Sequence, residues 1–287
     1  MDLHTVFEQT SSDWVRFSKY EYKEVGGQEY LTPTADSDIA TYNPLDIAED
    51  LVVDALNLGA ALCKSETLTD KGKAALMEFT LKYGLLGFMT AIPLNGNFIE
   101  YPNVFFGRNG FFDVDFMETR EYLQVFQPFG IKQGQSKTGF TMPPALLMGK
   151  TLEYEIVFSR NYAERTDWLF SVFSEFYTHF AACAAYYTTD NPALQGRCAD
   201  IVSSFCEYGL GFRMKMENKP TLVWDFNSLK TALETVYAFL VSSVDAPLRI
   251  CKHCGKVFYA THGRTEFCSG RCRNQFNVYK SRGKKTE

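Results

Sequence analysis

Four of the eight cysteines fall within the last 37 residues, in the pattern Cys251-x2-Cys254-x13-Cys268-x3-Cys272. No other feature restricts the fold as tightly. Two close pairs of thiols can close a tetrahedral shell around one zinc ion. The chain begins Met-Asp-Leu-His, with no basic region leading into an apolar run, so no secretory signal is visible and a cytoplasmic location is expected. Disulfides are disfavoured in that compartment, and metal is the better reading. His253 and His262 are ligand types too, but four thiolates already fill the shell. With no position left open, the ion is expected to be structural rather than catalytic.

The residues around the cysteines support this. Cys251-Lys-His-Cys254-Gly255 reads as a tight knuckle in which Gly255 lets backbone amides turn toward the sulfurs. Lys256 to Tyr259 reads as a strand, 261–264 as a turn, and Thr265 to Phe267 as a returning second strand. Ser269 is a good helix cap. A helix from Gly270 to Tyr279 would put Cys272 one turn from Cys268, with both sulfurs facing one metal. Knuckle, hairpin and helix start, in that order, describe a treble-clef finger. Phe258 and Phe267 are its expected miniature core, with Phe276, Val278 and Tyr279 packed under the hairpin. So small a unit depends on its metal, which contributes roughly 10–16 kcal/mol to folding such modules.

Charge divides the chain at the same place. From Arg249 onward there are ten Lys or Arg against two acidic residues, which is +8; the remainder has 19 against 32, which is −13. Residues 1–246 are read as an acidic body and 247–287 as a basic finger. Such asymmetry points to an anionic partner for the basic part. Arg271, Arg273, Asn274, Asn277, Lys280, Arg282, Lys284 and Lys285 are the candidate nucleic-acid contacts. Arg273, Asn277 and Lys280 share one helix face. Lys and Arg neutralise phosphates, and the amides of Asn274 and Gln275 are able to pair with adenine edges. DNA is the expected partner. The competing readings are RNA, a protein partner, and a basic helix that packs on the acidic body.

The segment Arg249 to Lys285 resembles the CGNR-type zinc fingers of bacteria. It shares the Cys251-x-x-Cys254-Gly255 knuckle, Phe258 after it, Phe267-Cys268-Ser269 before the last cysteine, and a basic helix ending Tyr279-Lys280-Ser281-Arg282. The eponymous run is here Cys272-Arg273-Asn274-Gln275, so Asn274 matches and its flanking residues do not. The helix after Ser228 and the run Pro247-Leu-Arg-Ile-Cys251 also resemble the lead into such fingers. The resemblance implies a mostly helical N-terminal domain and a role in transcription regulation.

The body is expected to be mainly helical with a β-hairpin and short strands, an α+β architecture overall. Asn43-Pro44 opens a helix carrying Ile47, Leu51, Ala55, Leu58 and Leu62 at helical spacing. A second helix runs from Asp70 to Tyr83 and stops at Gly84. A short helix is expected over 118–126, an ordered loop region with short strands over 91–116, a mobile loop over 129–150, and a long aromatic helix from Asn161 to Tyr187. Asn191-Pro192 restarts a helix to Cys206, and 212–226 reads as a hairpin. Trp14, Phe17, Tyr20 and Tyr22 fit strand and helix equally. Cys63, Cys183, Cys198 and Cys206 read as small buried hydrophobes.

Hydrophobic residues make up 46% and charged residues 22%, which excludes a disordered chain. No apolar run is long enough to span a bilayer. No Gly-rich phosphate loop, G-x-S-x-G or H-E-x-x-H occurs, and His179, four residues from Glu175, reads as a core histidine. No enzyme activity is expected. The residual alternative is a metal-dependent nuclease using His262, Asn274 and Asn277. The body is expected to sense a small-molecule effector of unspecified type or to form a homodimer.

Overall fold

Asn43 starts the helical part of the body as its sequence suggests. Its Oδ1 accepts from the Leu45 amide at 3.0 Å, and Pro44 presets the backbone of a short 3-10 turn, Pro44–Ile47, that runs into helix α1, Ala48–Leu62. Helix α2, Asp70–Tyr83, is capped by the Thr69 side chain and ends at Gly84, whose φ of 89° no β-carbon would favour. The computed structural model describes residues 14–92, 104–107, 163–205 and 210–283, apart from positions 26, 35, 217 and 227. The expected helix at 118–126, the loop at 129–150, Cys206, Lys284 and Lys285 lie outside the described residues.

The undecided N-terminal aromatics belong to strands. β1, Trp14–Phe17, pairs antiparallel with β4, Ile39–Tyr42. β2, Tyr20–Val25, pairs with β3, Gln28–Pro33. β1 buries Trp14, Val15 and Phe17 and so is covered on both faces, and β2 buries only Tyr20 among its described side chains, so neither strand alternates. A long-range bond fixes β1 instead: the Trp14 indole donates to the Leu85 carbonyl at 2.9 Å. A further hairpin joins β5, Met89–Ile92, to β6, Val104–Gly107.

β3 also takes on a third strand, the two-residue β7, Glu164–Arg165. The long aromatic helix, α3, therefore spans Thr166–Tyr186 and starts later than expected. The reason is Glu164. Its fully buried carboxylate accepts from three successive amides, Leu86 at 2.9 Å, Gly87 at 2.5 Å and Phe88 at 3.1 Å. That grip requires extended backbone at 164–165. α3 is central, burying Trp168, Leu169, Phe173, Phe176 and Phe180. It meets α1 at Gly59, where an added β-carbon would stand 2.1 Å from the Phe173 carbonyl oxygen. The two helices thus touch backbone to backbone.

Helix α4, Pro192–Ser203, is capped by Asn191, and the hairpin of β8, Leu210–Met216, and β9, Pro220–Phe226, follows. Helix α5, Leu229–Val241, is capped by Ser228 and buries Leu229, Leu233, Val236 and Tyr237. His179 joins three helices. Its Nδ1 lies 2.6 Å from the Tyr237 hydroxyl on α5, and its Nε2 lies 3.3 Å from the Val202 carbonyl on α4. A carbonyl only accepts, so Nε2 carries the proton and Nδ1 accepts from Tyr237. Burial lowers its pKa, against a smaller upward pull from Val202. It is the core histidine its surroundings suggested. Cys198 is buried and Cys183 half-buried, but Cys63 is exposed, contrary to expectation. It is the C-cap of α1, beyond the last buried turn.

The chain thus combines helices with several small antiparallel sheets, and a four-cysteine cluster lies at its C-terminal end. No helix among the described residues is long and apolar enough to cross a membrane.

Candidate metal centre

The knuckle forms first and locally. The Gly255 amide donates to the Cys251 carbonyl at 2.9 Å, and the Cys251 amide donates to the Lys256 carbonyl at 2.8 Å. Gly255 has φ 72°, the left-handed geometry such a reversal needs. The strands that flank this turn are β10, Leu248–Ile250, and β11, Val257–Tyr259, in antiparallel register. Here the sequence expectation is corrected. β11 pairs with residues before the knuckle, and 265–267 form no strand. The Cys-x2-Cys turn is itself the loop of the hairpin, and β10 occupies the edge that the returning segment would need. Residues 265–266 attach by single bonds: Arg249 Nη1 donates to the Thr265 carbonyl at 3.1 Å, and the Lys252 amide to the Glu266 carbonyl at 3.1 Å.

Helix α6, Gly270–Gly283, is longer than expected. The Ser269 hydroxyl accepts from the Cys272 amide at 3.2 Å, which is the expected cap. This start brings Cys268 and Cys272 to the knuckle. The four sulfurs lie within 4.8 Å of one another. Cys254 and Cys268 are 3.7 Å apart, Cys268 and Cys272 3.5 Å. A tetrahedron with metal–sulfur bonds of about 2.3 Å has edges of about 3.8 Å, so the spacing suits zinc. None of the four is in a disulfide.

The electrostatics of the cluster point the same way. Burial opposes a thiolate at Cys251, yet the amides of Cys254, Cys268 and His253 outweigh it and draw the thiol down to about 6. Cys268 is pushed up to about 12, first by burial and then by the sulfurs of Cys272, Cys251 and Cys254 around it. Four sulfurs this close cannot all ionise unless a cation is shared among them. The donor set is soft and closed, with backbone amides as outer support, which fits a structural zinc. The metal would be held by Cys251, Cys254, Cys268 and Cys272.

Neither histidine joins the shell. His253 Nε2 lies 3.0 Å from Gln275 Oε1, and its ring stacks on Tyr279 with centroids 5.8 Å apart and planes at 24°. His262 is exposed in the turn. Gln275 is therefore engaged, and its amide faces the knuckle rather than solvent. Phe258 and Cys251 form the small buried core with Phe267, and Phe276 packs on Phe267 at 5.2 Å, as expected. Val278 and Tyr279 were expected under the hairpin but are 44% and 61% exposed. α6 outruns the hairpin by that point, and Tyr279 is covered on one ring face only, by His253.

Arg271, Arg273, Asn274, Asn277, Lys280 and Arg282 are all exposed on α6. No carboxylate among the described residues pairs with the four cations, whereas Lys252 is held by Glu266 at 2.5 Å.

The sequence did not reveal how the finger meets the body. Asn57 on α1 donates from Nδ2 to the Val257 carbonyl and accepts at Oδ1 from the Val257 amide, both at 2.9 Å. The same Nδ2 also donates to the Val53 carbonyl at 2.9 Å. Leu248 and Val257 are buried in the same apolar core as α1, α3 and α5. The only local hint is an amide between Leu56 and Leu58, in a stretch of α1 whose other residues from Ala55 to Leu62 are all apolar or glycine. A comparison of the chain with protein-family models, curated proteins and solved structures finds no match.

Proposed function

We propose that the chain is a zinc-stabilised, duplex-DNA-binding transcription regulator of the CGNR-like kind, in which α6 binds DNA and the helical body dimerises or senses an effector. The observation that carries this reading is the exposed cation set on α6, Arg271, Arg273, Lys280 and Arg282, with no carboxylate partner among the described residues and no acidic residue in the helix. An exposed basic helix locked to a metal knuckle delivers several phosphate contacts without ordering anything further on binding. A shell of four thiolates would leave a metal no coordination position for substrate, and the protein is proposed to be non-catalytic. The second reading is an adaptor that docks a protein or RNA, favoured by the exposed apolar Val278 and Tyr279 on the same helix.

Fluorescence anisotropy of the full-length, zinc-quantified protein with duplex DNA, single-stranded DNA and RNA across a salt series tests this. Four phosphate contacts predict a slope of log affinity on log salt of about −3.6 for duplex DNA. Replacing Arg271, Arg273 and Lys280 with alanine should reduce that slope by about 3. Unchanged affinity in the triple variant, or binding that ignores salt, would remove the DNA reading and leave the adaptor. Nicking of plasmid on addition of divalent metal would contradict the non-catalytic assignment.

A further inference from the structure

We infer that α6 reads A·T pairs in the DNA major groove, with Asn274 and Asn277 as the base-contacting residues; this rests on the duplex-DNA reading above. The argument comes from how α6 distributes its residues. At about 100° per residue, Cys272, Gln275 and Phe276 lie on one side, and these three are the half-buried positions of the helix. The opposite side carries Asn274, Asn277 and Ser281, all exposed. Between the two sides are the cations, and they split evenly. Arg271 and Arg282 lie on one flank, Arg273 and Lys280 on the other, none with a carboxylate partner among the described residues.

A helix lying in the major groove meets base edges in front and a phosphate backbone on each side. Amides in front and cations on both flanks match those three surroundings. A helix that only rides along one backbone would need cations in front. A protein-docking helix would present its apolar residues there, but Val278 lies to the side and Tyr279 at the back, where its ring stacks on His253. The groove, about 12 Å wide, admits a helix of 10–12 Å diameter. The major groove of duplex RNA is too narrow to do so.

The front amides determine the base. An asparagine amide accepts from N6 of adenine and donates to N7, a bidentate pair no other base completes. Three residues separate Asn274 and Asn277, a rise of about 4.5 Å. That is close to the 3.4 Å between stacked base pairs, so the two contact neighbouring pairs. Gln275 has the same chemistry but is excluded, because His253 holds its Oε1 at 3.0 Å on the knuckle side.

The test is selection of randomised DNA duplexes by the full-length, zinc-loaded protein, followed by anisotropy on the selected site at fixed salt. The expected site contains two neighbouring A·T pairs, each worth about 5- to 150-fold in affinity over G·C. Asn274→Ala and Asn277→Ala should each flatten the preference at one of these pairs while leaving zinc content and salt slope unchanged. Arg271→Ala should do the reverse, lowering the slope by about 1 and keeping the preference. Duplex binding without sequence preference overturns the inference and leaves the DNA reading intact. So does a preference for G·C, or one that survives both asparagine variants. Absence of any duplex binding overturns both.

Discussion

Asn57 offers the sharpest test of how the finger is held. The Val257 amide and carbonyl point away from β10 and end on the Asn57 side chain, at 2.9 Å each. Val257 is 2% exposed, so water does not readily replace that side chain. Asn57→Ala leaves one donor and one acceptor buried without partners, at about 1–3 kcal/mol each. Against this, alanine gains roughly 0.6 kcal/mol in helix propensity. The net expectation is a loss of about 1.5–5 kcal/mol. It should appear at the docking site before it appears globally, because the knuckle keeps its own bonds. Hydrogen exchange of the Val257 amide should accelerate about 30-fold or more for a 2 kcal/mol loss, and the urea midpoint should fall with zinc content unchanged. Exchange at Val257 within a factor of two of wild type, with an unmoved midpoint, would refute the reasoning. It would mean that apolar burial of Leu248 and Val257 alone holds the finger.

Three further outcomes follow from the same packing. Zinc removal by a chelator, or Cys268→Ala, should unfold the knuckle and α6 and also lower the melting temperature of the body, since β10 and β11 contribute Leu248 and Val257 to its core; calorimetry with and without metal checks this. Gly59→Ala should destabilise by about 3 kcal/mol in urea titration, because a β-carbon 2.1 Å from the Phe173 carbonyl oxygen forces α1 and α3 apart, outweighing the roughly 1 kcal/mol helix gain. His179 has a folded pKa lowered from 6.5, so the unfolded chain takes up its proton first on acidification. Its contribution to stability is therefore complete above pH 6.5 and is lost as pH falls from there through the lower folded value; the difference in urea midpoint between wild type and His179→Gln should shrink between pH 7.5 and 5.5.

The four-cysteine cluster was legible because it is local. Ligand spacing, Gly255, and Ser269 before the last cysteine are all decided within a few residues of one another. So were the starts of α2, α4 and α5, set by Thr69, Asn191 and Ser228, each beside the helix it caps. What escaped was decided at long range. The partner of β11 lies on the far side of the knuckle, and no local pattern chooses between β10 and 265–267. β1 and β2 show no alternation, and they are tied down at long range, β1 by Trp14 reaching Leu85, 71 residues away, and β2 by the Tyr22 hydroxyl donating to the Lys73 carbonyl, 51 residues away. α3 starts late because Glu164 is bound by amides 76 to 78 residues earlier. The tie from Asn57 to Val257 spans 200 residues.

The Glu164 clasp has a topological consequence. It brings the chain at 86–88 and at 164 into hydrogen-bonding contact, so residues 76 positions apart close a loop through one carboxylate. Closure entropy grows by only about 0.6 kcal/mol for each doubling of loop length. A change in the number of residues between the two ends therefore weighs little on the bonds that close them.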